Sequence, residues 1–359
     1  MKNDVKKLAC RILFILGAFL LFWLHFVFKE PLNYVDQDAA YCIWMKNFAG
    51  SRHSSPCRVL FLGDSLSNCA FLPNFLPGNV ASVCLGGATP IPEYYILRRY
   101  LENNDPPRVC YLGFADQSLG ASDTFLTTAT ARLFTFPEVL EVTAEGKKVG
   151  QKFTASPPYP AWEFYCLSPR IYQLSLMRGL LTKRIESNGD CLHHADIHAG
   201  AYLQPVSGPF GTGELCKDHF SVTPVIDVYY RRMIELCRSK GIQVKIVKLP
   251  SNPAVSHTEN YRKEFSEYYR KLMADYPGIT VDWFEYGLDE DCFVDTIGHM
   301  NLKGGCLFSK MLARYYPEDF DEGIPLSASL LEGLEEYRQT GFDPDQLEPS
   351  AVLANILEQ

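Results

Sequence analysis

Five short, almost continuously apolar runs recur along the chain: RVLFLG (58–63), NVASVCLG (79–86), RVCYLGF (108–114), QVKIVKLP (243–250) and ITVDWFEY (279–286). A strand with one wet face alternates apolar and polar residues. A continuous run is instead the pattern of a strand covered on both faces, as in a parallel sheet between two helical layers. Only the fourth run, with two lysines, comes close to alternating.

Helix-like segments separate or follow these runs. Residues 91–104 carry Tyr94, Tyr95, Leu97 and Leu101 near helical spacing, with Pro106 beyond the end. Residues 223–241 form a long amphipathic pattern closed by Gly241, a C-cap signal. Residues 260–278 repeat the form and end in Pro-Gly, and 301–317 follow. Strands alternating with helices predict a doubly wound α/β fold. With 359 residues, 47% of them hydrophobic, a large core is within reach.

Residues 115–222 break the alternation. This stretch is rich in Pro, Gly, Tyr and Ser, with a helix expected near Pro169 to Arg184, and reads as an insertion packed over one end of the sheet. Within it, YPAWEFY (159–165) reads as core packing or as a platform for sugar rings. The domain boundaries expected are 1–30 for an N-terminal anchor, 31–56 for a membrane-proximal linker, 57–317 for the α/β domain, and 318–359 for an acidic tail with a helix over 329–339.

The anchor rests on Ile12 to Phe28, seventeen residues whose one ionisable member is His25. A helix of that length spans about 25 Å, and Leu8, Ala9 and a snorkelling Arg11 extend it towards a ~30 Å hydrocarbon core. Lys2, Lys6, Lys7 and Arg11 precede it, which predicts a cytoplasmic N-terminus and an extracytoplasmic body on a single-pass protein of the cell membrane. A cleaved signal peptide would want small residues after the apolar core, and none stand there. A cleaved signal and a buried core helix are the two alternatives to the anchor. Phe19 to Trp23 and Trp44 read as membrane and interface residues. Net charge is −8 with no basic stripe in the body, so nucleic acid is not an expected partner. The twelve cysteines contain no C-x-x-C and no zinc-finger spacing, and Cys84 and Cys110 read as small buried hydrophobes.

Chemistry concentrates at the predicted C-terminal strand ends, where parallel sheets build their sites. GDS places Ser65 directly after the first strand, with Asp64 or Ser65 able to cap a following helix. LGGATP (85–90) places Gly86 and Gly87 after the second strand, where backbone N–H groups can approach a substrate oxygen. CFVDTIGHMNLKGG (292–305) places Asp295 and His299 between the last strand and the last helix. A serine needs a base for its proton, and the base needs an acid to orient its ring.

Together these segments resemble the SGNH/GDSL hydrolase superfamily, and within it the membrane-anchored cell-envelope branch of DltD-like and alginate-acetylation-like proteins. The resemblance spans roughly 58–316 apart from the insertion, and is carried also by LGGATPIPEYYILRRYL, PPRVCYLGF and the H-x-N-x-x-G that begins at His299. It implies a flavodoxin-like three-layer α/β/α sandwich with a parallel sheet of about five strands. It implies acyl transfer through a serine ester, by hydrolysis or transfer, without a cofactor. The implied substrate is an acylated envelope glycan or similar ester, and a membrane-bound O-acyltransferase is the implied partner.

Matched to the family's motifs, Ser65 is the nucleophile, His299 the base and Asp295 the acid, with the N–H groups of Ser65 and Gly87 as oxyanion donors. Two positions depart from the pattern. Ala115 stands where the family's third block has an Asn donor, leaving that role to a substitute such as Gln117 or to none. Three residues rather than two separate Asp295 from His299, so Asp291 and Asp289 are alternative partners. These departures also admit a non-catalytic envelope protein that binds a glycan or the acyltransferase.

CLHHADIHAG (191–200) is a rival site. Cys191, His193, His194, Asp196 and His198 are all zinc-ligand types, with Asp218 and His219 nearby in sequence. It reads first as a polar loop, solvated or substrate-binding. Its metal reading, with His193, His194 and His198 as candidates, would make the protein a metal-dependent hydrolase.

Overall fold

The first apolar run folds as β1 (Val59–Gly63), and all five residues are buried. Val59 and Phe61 pack into one core while Leu60 and Leu62 pack into another on the opposite face. Continuous hydrophobicity in the sequence is thus spent on two covered faces. The computed structural model describes residues 2–28, 37–54, 57–120, 125, 133–153, 179, 181–201, 215–282, 286–320 and 325–347, with the side chains of 2–3, 22–28 and 37–39 excepted. The aromatic segment 159–165, most of the helix expected over 169–184, and Cys166 lie outside them.

After β1 the chain runs through α3 (Ser65–Ala70), β2 (Val80–Ser82), α4 (Pro90–Asn103), β3 (Val109–Gly113), α5 (Asp116–Gly120) and α6 (Phe136–Lys148). It continues through α7 (Arg184–Ile197), β4 (Leu215–Lys217), α8 (Pro224–Ser239), β5 (Gln243–Val247), β6 (Val255–His257), α9 (Glu259–Asp275) and β7 (Thr280–Asp282), and ends with α10 (Leu302–Tyr315) and α11 (Ala328–Gln339). Two further helices, α1 (Lys2–Phe28) and α2 (Gln37–Gly50), precede the sheet.

The main sheet has the order β2-β1-β3-β5-β7, and every pairing is parallel. The five strands are those the apolar runs predict. On one face, α4, α8 and α9 bury Tyr95, Met233 and Phe265 against Leu62, Leu112 and Ile246. On the other, α3 and α10 bury Phe71 and Phe308 against Phe61 and Tyr111. The order reverses between β1 and β3, which opens a crevice at their C-terminal ends, the position where open α/β sheets bind ligands.

The segment expected as a linker over 31–56 is corrected in its second half. There α2 is a packed core helix, with Ala40, Tyr41, Ile43, Met45 and Ala49 buried. Trp44, expected at a membrane interface, packs against the body. Its indole N–H donates to Asp196 at 3.0 Å, and its ring stacks on Phe48 at 5.2 Å. The acidic tail is also partly absorbed into the fold. Asp319 is fully buried, accepting from the Tyr111 hydroxyl at 2.6 Å and pairing with Lys245 of β5 at 2.6 Å.

Among the described residues, no helix is long and apolar enough to cross a membrane. Helix α1 nonetheless exposes Val5, Leu8, Ile12, Leu13, Phe14, Ile15, Leu16, Phe19, Leu20 and Leu21. Cys84 and Cys110 are buried as expected, and no disulfide links the described cysteines.

Candidate active site

Asp64, not Ser65, caps α3. One carboxylate oxygen accepts from the N–H groups of Leu66 at 3.0 Å and Ser67 at 3.4 Å. The other accepts from the Ala115 N–H at 2.8 Å and the Ser118 hydroxyl at 2.6 Å. Asp64 therefore ties the end of β1 to the end of β3 from a position that is only 1% exposed. Burial pushes its carboxyl above the usual range, while the four hydrogen bonds pull the other way.

The glycine of GDS has a packing reason. A Cβ on Gly63 would collide with the Gly113 carbonyl and with Ser67, whose hydroxyl donates to that same carbonyl. With capping done by Asp64, the hydroxyl of half-buried Ser65 is left for another partner.

That partner is His299. Its Nε2 lies 2.8 Å from Ser65 Oγ, and its Nδ1 lies 2.6 Å from Asp295 Oδ2. A carboxylate only accepts, so Nδ1 carries the ring proton and Nε2 presents a lone pair to the serine hydroxyl. The other Asp295 oxygen accepts from the N–H groups of Gly298 at 2.9 Å and His299 at 3.0 Å. The unusual spacing is absorbed locally. Phe293 and Met300 form an antiparallel bridge, and Gly298 turns the loop at φ +116°, a conformation that favours glycine. The alternatives to Asp295 are not at the ring. Asp291 is held by Lys303 at 2.6 Å on the surface, and Asp289 is exposed.

The rest of H-x-N-x-x-G holds this loop in place. Asn301 caps α10 by accepting from Gly304 N–H at 3.0 Å and donates to the Asp291 carbonyl at 2.6 Å. A Cβ at Gly304 would strike the Cys292 carbonyl, and one at Gly305 the Cys69 carbonyl. Small residues there let α10 approach both the His299 loop and α3.

The glycine turn is brought to the same edge. Beyond β2 the chain stays paired with β1, through Val83 N–H to Phe61 at 2.9 Å and Leu85 N–H to Gly63 at 3.0 Å. Gly86 and Gly87 follow at the surface beside the Asp64–Ser65 turn, with Gly87 at φ +67°. Ala115 stands at the end of β3, its N–H engaged by Asp64. Gln117 is exposed on α5. Leu66, Ala115 and Ile297, neighbours of the triad elements, line a cleft that continues past Lys217, Lys248 and Tyr261. Its polar wall is fixed by Asp116, which pairs with Lys217 at 2.9 Å and accepts from the Tyr261 hydroxyl.

The segment expected as a polar loop at 191–200 is corrected: it is helix α7 through Ile197, ending at His198. Asn188, Cys191, Ala195 and His198 are all buried, a 3–4–3 spacing that is the helical signal in this sequence. Of the proposed ligand types, His194 and His198 come together, and Glu336 of α11 joins them. Cys191 and Asp196 do not join. His193 is exposed and pairs with Glu332 at 3.5 Å. His219 and Asp218 lie elsewhere, with His219 Nδ1 3.2 Å from Glu264 of α9. Sequence reading missed Glu336 because the tail carries many acidic residues with nothing to single one out. It also missed Asp64 as the clamp between β1 and β3.

No protein-family model matches the chain, and no curated protein matches it.

Proposed function

We propose that this chain is a serine-dependent acyl-transfer enzyme, an acyl-ester hydrolase or O-acyltransferase. The observation that carries this reading is the unbroken relay from Ser65 Oγ through His299 to Asp295, at 2.8 and 2.6 Å. Both contacts are within hydrogen-bond reach, as a nucleophile, base and orienting acid require.

In this mechanism Ser65 Oγ attacks the ester carbonyl while His299 Nε2 takes the hydroxyl proton. Asp295 keeps the ring oriented and supports the imidazolium. The N–H groups of Ser65 and Gly87 receive the developing oxyanion. His299 returns the proton to the departing alcohol and leaves an acyl ester on Ser65. Water or an acceptor hydroxyl, deprotonated by His299, then attacks that ester and frees the serine.

We further assign α1 as a single membrane anchor with a cytoplasmic N-terminus. The row of exposed apolar side chains from Val5 to Leu21 supports it, since apolar patches of that extent are covered by a membrane or a partner. The body then faces the envelope. The substrate class is an acylated glycan or similar ester, and a membrane-bound O-acyltransferase is the partner. The test is hydrolysis of an activated acetyl ester by wild type, Ser65→Ala and His299→Ala. Wild type turns over and both variants fall to background. Equal rates in all three proteins would overturn the reading.

A further inference from the structure

We propose that His194 and His198 of α7 and Glu336 of α11 form a binding site for one divalent transition-metal ion, with zinc the best match. No residue of this cluster belongs to the triad or its cleft.

The donors converge. The two imidazoles stand four residues apart on one helix, with ring centroids 4.0 Å apart. Glu336 reaches between them, Oε1 3.3 Å from His194 Nδ1 and Oε2 3.5 Å from His198 Nε2. The three ligand atoms all lie within 4.8 Å of one another. Two donors each about 2.1 Å from a tetrahedral zinc sit about 3.4 Å apart, close to both spacings.

The protonation pattern around His198 points to a cation. The Asn74 amide donates to the carbonyls of Ile197 at 3.3 Å and Leu330 at 2.9 Å. Its oxygen is therefore the atom facing His198 Nδ1 at 2.7 Å, and Nδ1 must be the protonated nitrogen. Nε2 is left with a bare lone pair. It is buried, makes no hydrogen bond among the described residues, and faces a carboxylate oxygen. Two electron-rich atoms opposed in this way need something positive between them. A metal ion meets the need. Metal-binding histidines characteristically donate their other ring N–H to an oxygen, as His198 does to Asn74.

The ring is also held ready. Tyr337 stacks on it at 4.3 Å and 22°. A Cβ at Gly333 would come within 2.7 Å of the imidazole, so glycine is what lets α11 pass this close. Ligands from α7 and α11, with Asn74 from the 3-10 turn between α3 and β2, make the ion a staple of the C-terminal helix to the body. Glu336 is 46% exposed, which leaves an approach from solvent and a fourth position for water.

The experiment uses the untagged full-length chain in detergent, stripped with chelator and titrated with zinc by calorimetry, with cobalt absorption as a second readout. Wild type takes up one zinc per chain, its melting temperature rises with zinc, and bound cobalt shows tetrahedral d–d bands. Glu336→Gln and His194→Gln each weaken uptake at least tenfold while their metal-free melting temperatures match wild type, and His193→Gln binds as wild type does. No uptake by wild type would overturn the proposal. So would unchanged uptake in both Glu336→Gln and His194→Gln, or its loss in His193→Gln.

Discussion

Replacing Asp295 with asparagine tests the relay at its least visible member. The Asp295 carboxylate accepts three hydrogen bonds, two from the backbone of Gly298 and His299 and one from His299 Nδ1 at 2.6 Å. In Asp295→Asn the amide oxygen keeps the two backbone donors, so the loop holds its shape. The amide NH₂ then faces Nδ1. Two donors cannot share that contact, and the ring proton moves to Nε2, opposite Ser65 Oγ. The serine loses the lone pair that was to take its proton. A wrong-tautomer triad of this kind costs about 10⁴ in kcat, or about 5.4 kcal/mol of transition-state stabilisation. The fold loses one charge-assisted hydrogen bond, roughly 1.5–3 kcal/mol at most. The assay is initial rates on an activated acetyl ester, with melting temperature measured on the same samples. A variant within tenfold of wild type in kcat, at comparable folding, would refute the claim that Asp295 sets the His299 tautomer.

Three further outcomes are expected. Gly87→Ala places a side chain at φ +67°, a strain of about 1–2 kcal/mol, in open space. It should fold yet lose roughly 10²–10³ in kcat as the oxyanion N–H shifts, and a wild-type rate would remove Gly87 from the site. Asp64→Ala leaves two buried backbone donors of α3, the Ala115 N–H and the Ser118 hydroxyl without their acceptor. Denaturant unfolding should show a loss of roughly 3–5 kcal/mol, and a loss below 1 kcal/mol would contradict its role as the clamp. His198 is held far below its ordinary value near 6.5, so the unfolded chain binds a proton that the folded chain does not. Its contribution is complete above about pH 6.5 and is lost as pH falls, at about 1.4 kcal/mol per pH unit. In chelator, His198→Gln should lack that part of the acid slope, and identical slopes between pH 5 and 6.5 would contradict it.

The central strands were legible because both of their faces are covered, so β1 and β3 read as unbroken apolar runs. Lys245 kept β5 from reading so cleanly, since it is buried and neutralised by Glu318 and Asp319, residues more than seventy positions away. Strands β4 and β6 are three residues each and partly exposed, too short for a period to show. Helix α2 was hidden by its neighbours in sequence, because aromatic residues just after an apolar run read as a membrane interface. In the fold they pack on α4 and α7. The contact of Ser65 with His299 and Asp295 was legible because each lies in a connection that follows a strand, Ser65 at the first turn of α3 and the other two before α10, where the topology of a parallel sheet brings distant segments to one edge. Which aspartate served His299 was not, since that depended on the turn at Gly298. The pairing of α7 with Glu336 was equally hidden, because it is a contact between two polar helices.

The most direct measurement is covalent trapping. Wild type treated with a fluorophosphonate should gain one phosphonyl group on the tryptic peptide Val59 to Arg98, and fragmentation should place it on Ser65 rather than on the buried Ser67 or Ser82. Labelling should be slowed strongly in His299→Ala and abolished in Ser65→Ala. No label on wild type, or a label on another serine with Ser65 unmodified, would contradict the account.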